Sequence, residues 1–409
     1  MFSALVDGVV KVVNPLRAAD CLSTLAAMKQ LGLSVEEMDG GFKIGSRGLA
    51  SLGRPAEIVE IDAGNSGTTM RLMSGLVAGN SRLVCQFDGD DSLRSRDMKR
   101  VLSPLSQMGA AVEYLGNPGK APFRVSGAAL TGGHYELSIG SAQVASAISL
   151  AALQASGETT LTLPAPVRDH SERMLTFMGA KIGSEGGVTR VSPLSGSLGS
   201  CTISVPADIS SAAFFLVGAA LMKGSAMTFP NLGVNPGRTL VLDVLSQMGL
   251  KIERLNERLL GAEPVCDLYV ESTGALKGVQ IEASAVASGI DELPALALAM
   301  AFAEGKSEIE GVGELRAKES DRLALIVENI KAMGGRAEIV QNGDLESLIV
   351  HGGGLKGGGL WKTHRDHRMV MTGLMAGLVL PEPIQVQDQE YLSISYPAFR
   401  EDLKSLLAD

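Results

Sequence analysis

The sequence predicts an α/β protein of two similar lobes, built from six repeats with three in each lobe. Three observations predict it: a buried type of helix that recurs along the chain, an amphipathic type that alternates with it, and short strand-like runs between them.

The first helix type is apolar, rich in alanine and followed by glycine. Its copies run from Met1 to Gly8, Thr68 to Gly79, Val144 to Gly157, Ile209 to Gly224, Glu292 to Gly305 and His367 to Gly377, and the closing glycines lie 67 to 81 residues apart. Apolar residues on nearly all sides mark a buried helix, and a closing glycine suits a left-handed cap. The first copy has seven residues before Gly8 where the others have about 10 to 16, so it reads as a helix entered part-way along. The second type ends in Met-Gly or Leu-Gly, at Gly32, Gly109, Gly179, Gly249 and Gly334, with a sixth copy from Pro397 to Leu407. Apolar runs such as Glu57 to Ile61, Arg82 to Phe87, Thr159 to Leu163 and Val279 to Ile281 have glycine or proline nearby and read as strands. A period of about 70 residues is too long for the common solenoids. Three repeats per lobe give lobes of residues 1–205 and 206–409, with Val205-Pro206-Ala207 as the candidate hinge and a cleft between lobes as the expected ligand site.

Composition narrows the chemistry. The chain has 409 residues, 45% of them hydrophobic, 4% aromatic, and a net charge of −9. Few aromatics and a negative balance argue against nucleic-acid binding. An anionic ligand would need local arginines and helix ends. Cys21, Cys85, Cys201 and Cys266 are scattered, which suggests neither a zinc site nor a disulfide framework. No apolar run reaches membrane-spanning length and no secretion signal is visible, so the chain reads as cytosolic.

Polar motifs fall where helices begin. Asn65-Ser-Gly-Thr-Thr-Met-Arg71, Ser141-Ala-Gln143, Asp208-Ile-Ser-Ser211, Asp291-Glu-Leu-Pro294 and Asp366-His-Arg368 open buried helices, and Ser92-Leu-Arg-Ser-Arg96, Val167-Arg-Asp-His-Ser171 and Lys318-Glu-Ser-Asp-Arg322 open amphipathic ones. Each alone is explained by a cap or a charged first turn. Their joint occurrence at matching repeat positions points instead to helix N-termini and arginines gathered into an anion trap.

Gly64-Asn-Ser-Gly-Thr-Thr-Met-Arg71, Ser141-Ala-Gln143, Arg168-Asp-His-Ser-Glu172, Leu315-Arg-Ala-Lys-Glu-Ser-Asp-Arg-Leu323 and Asp366-His-Arg368 stand in the order of motifs of the 5-enolpyruvylshikimate-3-phosphate synthases, in the enolpyruvyl transferase family, which the chain resembles over essentially its whole length. The resemblance implies a two-lobed inside-out α/β barrel, each lobe of three βαβαββ units with helices inside and sheets outside. It implies transfer of the enolpyruvyl group of phosphoenolpyruvate to the 5-hydroxyl of shikimate 3-phosphate, with release of phosphate, by a monomer that needs no metal or cofactor. Asp291, Lys318 and Glu319 would be catalytic: Asp291 and Lys318 at the attacking hydroxyl, Glu319 moving the proton at the methylene carbon. Asn65 and Gly67 would line the phosphoenolpyruvate pocket and Arg96, Arg322 and Arg368 would hold its anionic groups. Gln143 would touch both substrates, Ser141 and Arg168 would hold the shikimate phosphate, and Ala142 would also bind substrate.

Four departures from the family pattern stand out. Its Lys-Ser-x-Ser-His-Arg signature, which would precede the helix read at Met1, is absent from this sequence; Val167, Ile394 and Ala145 replace a hydroxyl residue and two lysines common in the family. They open the alternative of a non-catalytic or impaired homologue of the same fold. The related UDP-N-acetylglucosamine enolpyruvyl transferase is a second alternative. Its reactive loop cysteine has no counterpart between Gly89 and Arg96, and Cys85 falls in a strand-like run.

Overall fold

β-Branched runs broken by glycine turns give six sheets among the described residues of the computed structural model, which are 1–53, 57–138, 140–165 and 167–408. The second repeat shows the plan. Ile58–Asp62 leads into the helix Gly67–Ala78 and then into Val84–Asp88, which returns parallel to the first strand. The helix Lys99–Met108 follows, and then Ala111–Tyr114 and Phe123–Ser126, antiparallel to each other, with Phe123–Ser126 also pairing antiparallel to Val84–Asp88. The third repeat copies this order from His134–Glu136 to Val188–Val191, and the fifth from Gln280–Ile281 to Leu345–His351. In the first repeat Asp7–Val13 takes its parallel partner from far along the chain, Cys201–Ser204. The fourth repeat has three strands and the sixth has two, Leu360–Trp361 and Gln385–Val386.

The chain divides into two compact units, Met1–Val205 with Leu260–Glu263, and Pro206–Leu259 with Pro264–Asp409. The turn Leu260–Glu263 therefore belongs with unit 1, although the sequence reading counts it in the second lobe. Each unit holds three of the sheets.

Within each unit the apolar helices form the core. Ile209–Leu221 and Leu293–Phe302 are buried along nearly their whole length, and both pack on His367–Val379. Phe399, in the last helix, is fully buried against Phe214 and Phe215, with ring centroids 6.0 and 5.1 Å apart. In unit 1, Gly67–Ala78 lies so close to Ala142–Ala152 that a Cβ on Gly75 would stand 1.9 Å from the Ala147 carbonyl oxygen. The α/β repeat architecture read from the sequence is present.

The amphipathic helices share one ending. At Gly32, Gly109, Gly179, Gly249 and Gly334 the backbone turns left-handed. The next residue's N–H then reaches back five residues, as in Ala110 to Leu105, Leu250 to Leu245 and Gly335 to Ile330. This closes the last turn in the Schellman manner, and it is the physical content of the recurring Met-Gly or Leu-Gly.

Three local readings need correction. Met1 to Gly8 is not a helix capped by glycine: Phe2–Leu5 is a 3-10 turn, and Gly8 lies inside the strand Asp7–Val13. The run Gly8-Val-Val-Lys-Val-Val13 is β-branched and bonds to strands on both sides, which outweighs the apolar look of the residues before it. Gly79 and Gly377 are not left-handed caps. Gly79 has φ −87°, and its missing Cβ leaves room for Gln154, whose Cβ would be 2.5 Å away. Gly377 lies within the helix His367–Val379. Finally, Ser92 to Arg96 does not open the amphipathic helix. Asp91–Ser95 is a separate one-turn helix capped by Asp90, and Arg96 follows it in extended backbone before Lys99–Met108.

Candidate active site

In unit 2 the chemistry gathers around Arg322. This residue is the first of the helix Arg322–Ala332, behind the N-cap Asp321, whose carboxylate accepts from the Ala324 N–H. Its guanidinium is 1% exposed. Nε donates to Asp366 Oδ2 at 2.7 Å and Nη2 to Asp366 Oδ1 at 3.2 Å, Nη1 donates to Asp291 Oδ1 at 3.1 Å, and Nη2 also donates to Glu319 Oε2. Burial alone would lower the Arg322 pKa; Asp366, Glu319 and Asp291 more than offset it and leave it raised. Lys318 Nζ stands 3.2 Å from the same Asp291 oxygen. One carboxylate therefore faces two cations, and Glu319 shares one of them.

Asp366 is an anchor. Fully buried, it caps the helix His367–Val379 by accepting from the Arg368 N–H at 2.9 Å, and it accepts from Ser320 Oγ at 3.0 Å. Arg368 Nη1 donates to the Asp291 carbonyl at 3.3 Å and lies 4.0 Å from Glu292 Oε1. Asp291 is not the cap expected of it. Glu292 holds the N-cap position of Leu293–Phe302, and Asp291, one residue earlier, spends its side chain on Arg322 and Lys318. His367 is buried, and desolvation pushes its pKa down to about 4.

Sequence reasoning gave no role to several supports here. Arg316 binds Glu346 with Nε at 2.9 Å and Nη2 at 2.7 Å, and Asp321 with Nη1 at 2.7 Å. It ties together the two ends of the bend that carries Lys318, Glu319 and Ser320. Arg238 stands 3.0 Å from Asp208, the N-cap of Ile209–Leu221, and donates to Ser210 Oγ, which in turn donates to Glu292. Repeat position points to Asp208, and Arg316 stands inside the motif Leu315 to Leu323 with no role of its own; nothing local points to Arg238.

Unit 1 carries the other expected residues. Ser66 caps Gly67–Ala78 by accepting from the Thr69 N–H, which puts Asn65 just before the helix and Gly67 in its first position. Asn65 Nδ2 donates to Asp90 at 2.6 Å, and its Oδ1 accepts from Arg96 Nη2 at 3.3 Å. A Cβ on Gly67 would meet Arg71 Nη1 at 3.1 Å and Arg96 Nη1 at 3.2 Å. Two guanidinium groups thus flank one helix N-terminus, where the backbone dipoles also favour an anion. Ser141 caps Ala142–Ala152 by accepting from the Val144 N–H. Gln143, two residues on, accepts from Arg71 Nη1 and donates to Thr68 Oγ1 at 2.8 Å. Arg168 is half-buried, two residues before the helix His170–Phe177. Its neighbour Val167 comes within 3.8 Å of where a Gly140 Cβ would be, so the loops leading to Ser141 and bearing Arg168 run side by side. His170 Nδ1 pairs with Glu263 Oε1 at 2.8 Å.

The model of the family described as "EPSP synthase (3-phosphoshikimate 1-carboxyvinyltransferase)" matches residues 1–403. The chain belongs to the EPSP synthase family. Its curated relatives include the 3-phosphoshikimate 1-carboxyvinyltransferases of Roseiflexus castenholzii, 42% identical over 98% of this chain and 91% of that one, and of Alkalilimnicola ehrlichii, 43% identical over 98% and 88%. Among solved structures, an EPSP synthase from Acinetobacter baumannii superposes with a TM-score of 0.85, at 38% identity over 99% of this chain and 92% of that one. In this EPSP synthase homologue Cys85 lies buried in the strand Val84–Asp88, and burial pushes its thiol up to about 12. Among the described residues no helix is long and apolar enough to cross a membrane.

Proposed function

We propose that this chain transfers the carboxyvinyl group of phosphoenolpyruvate to the 5-hydroxyl of shikimate 3-phosphate and releases phosphate. The observation that carries the reading is the shared use of Asp291 by Lys318 and Arg322, with Glu319 on the same guanidinium. Two carboxylates and a lysine held this way suit a reaction in which two protons move at two different atoms. The Asp291 carboxylate takes the proton of the attacking hydroxyl while Lys318 steadies the developing charge. The oxygen then bonds to the enol carbon as a proton from Glu319 goes to the methylene carbon. In the second half the carbon–oxygen bond to phosphate breaks, the hydroxyl proton taken by Asp291 leaves with the phosphate, and Glu319 recovers a proton from the methyl group as the double bond re-forms.

Binding is assigned to residues of each unit. Asn65 and Gly67 line the phosphoenolpyruvate pocket, and Arg96, Arg322 and Arg368 hold its carboxylate and phosphate. Ser141, Ala142 and Arg168 receive the shikimate 3-phosphate, and Gln143 contacts both substrates. Supporting this are the Arg96 guanidinium beside the helix start at Gly67 and the helix N-terminus at Ser141. The protein acts as a cytosolic monomer on this reading. The test is phosphate release measured with each substrate alone and with both together. Release that requires both substrates supports the assignment; release from phosphoenolpyruvate alone, or none with both, rejects it.

A further inference from the structure

An amide side chain reads nearly the same in either orientation, so what lies on each side of it decides which end meets a ligand. Gln143 sits in the first turn of Ala142–Ala152, and both ends of its amide are engaged from the neighbouring helix. Its Oε1 accepts from Arg71 Nη1, and its Nε2 donates to Thr68 Oγ1 at 2.8 Å. Thr68 and Arg71 are three residues apart on Gly67–Ala78 and share a face. The close crossing of the two helices at Gly75 and Ala147 sets the distance this pair must span. Guanidinium is donor-only. A flipped amide would press its NH2 group against it and leave the amide oxygen on the Thr68 side.

We propose that Arg71 is a positioning residue for the reaction: it locks the Gln143 amide so that the donor end, and never the acceptor end, is offered to anionic substrate. Nε2 has two N–H groups, and Thr68 takes one. The other is directed by the lock toward a substrate oxygen. The same Arg71 Nη1 lies 3.1 Å from where a Gly67 Cβ would stand, with Arg96 Nη1 3.2 Å from that point, so the lock adjoins the helix end assigned to phosphoenolpyruvate. The inference rests on the function proposed above and deepens it. Arg71 acts through Gln143, not as a separate anion ligand.

A double-variant cycle tests this. KM for each substrate and kcat are measured for the wild-type protein, Arg71→Met, Gln143→Ala and the double variant, with Arg71→Lys as the conservative change. Arg71→Met is expected to raise KM for both substrates about tenfold, the scale of one charge-assisted hydrogen bond, with kcat falling less. Gln143→Ala is expected to do the same, and adding Arg71→Met to it should change KM by less than about twofold. Arg71→Lys, which keeps a donor without the rigid fork, should fall between wild type and Arg71→Met. A purely structural role would lower the active fraction, and so kcat, and leave KM alone. Should Arg71→Met fail to fold, Thr68→Val removes the other tether and is expected to show the same non-additivity with Gln143→Ala. Factors that multiply in the double variant, or an unchanged KM in Arg71→Met or in Thr68→Val, would overturn the proposal while leaving the proposed function standing. A wild-type protein inactive with both substrates would overturn both.

Discussion

Replacing Arg322 with methionine isolates the central polar interaction of unit 2. The substitution keeps much of the length and apolar stem and removes the cation. Asp366, fully buried, would lose two of its contacts and retain the Ser320 hydroxyl and the Arg368 N–H. Asp291 and Glu319 are 17% and 20% exposed and can recover water, so Asp366 dominates the cost. Stranding one partner of a buried pair costs about 3–5 kcal/mol. For a cooperative unit of about 200 residues, each kcal/mol moves the midpoint by roughly 2–4 °C. The expected loss is therefore roughly 6–20 °C in the thermal unfolding of unit 2, followed by circular dichroism. Arg322→Met combined with Asp366→Asn removes the stranded charge and should recover at least half of that. A single variant that melts within about 2 °C of wild type, or a double variant whose loss is the sum of the two singles, would show that Asp366 does not depend on Arg322.

Three further outcomes follow from the same geometry. Gly75→Ala drives a Cβ to 1.9 Å from the Ala147 carbonyl oxygen; because backbone must move, unit 1 should lose at least about 1–3 kcal/mol in urea unfolding, and an unchanged midpoint would mean the helices are not so close. Glu319→Gln keeps shape and hydrogen bonding but cannot cycle a proton, so kcat should fall about 10²–10⁴-fold with shikimate 3-phosphate affinity held; near-normal turnover would remove Glu319 from the chemistry. His367 stays neutral in the fold down to about pH 4, against 6.5 for a free imidazole. The unfolded chain therefore binds more protons between those values, and stability should fall as pH drops through 6.5, by about 2 kcal/mol at pH 5. His367→Gln should flatten that dependence between pH 7.5 and 5, and an equal slope in both proteins would exclude this histidine as its source.

The repeats were legible because each copy solves the same local problem. A left-handed glycine closes every amphipathic helix that the Met-Gly or Leu-Gly pattern marks, and apolar residues on all sides mark the helices that form the core. Misreadings came where tertiary partners decide. Nothing within Met1 to Gly8 announces that Cys201–Ser204 will bond to the strand that follows. Asp291 has the local look of a cap, and only the fold reveals Arg322, 31 residues on, as its partner. The site's residue types were readable, because their motifs recur at helix starts. The partners of the supports were not: Arg316 and Arg71 stand inside motifs at helix starts, but no local pattern names Glu346, Gln143 or, for Arg238, Ser210 as what each of them binds. Arg71 closes the motif that begins at Gly64, and its spacing of four from Gly67 puts both on one helix face.

On the proposed mechanism two protons move at separate atoms, by addition and then elimination. Running the reaction in D2O with phosphoenolpyruvate and shikimate 3-phosphate, and reading the product by proton and carbon NMR, tests it most directly. Addition creates a methyl group carrying one solvent deuteron, and elimination removes one of its three hydrogens. The expected product is an enol ether at the shikimate 5-oxygen with deuterium in its methylene group, formed in step with phosphate. An enol ether with no deuterium, or phosphate with no enol ether, would exclude addition followed by elimination.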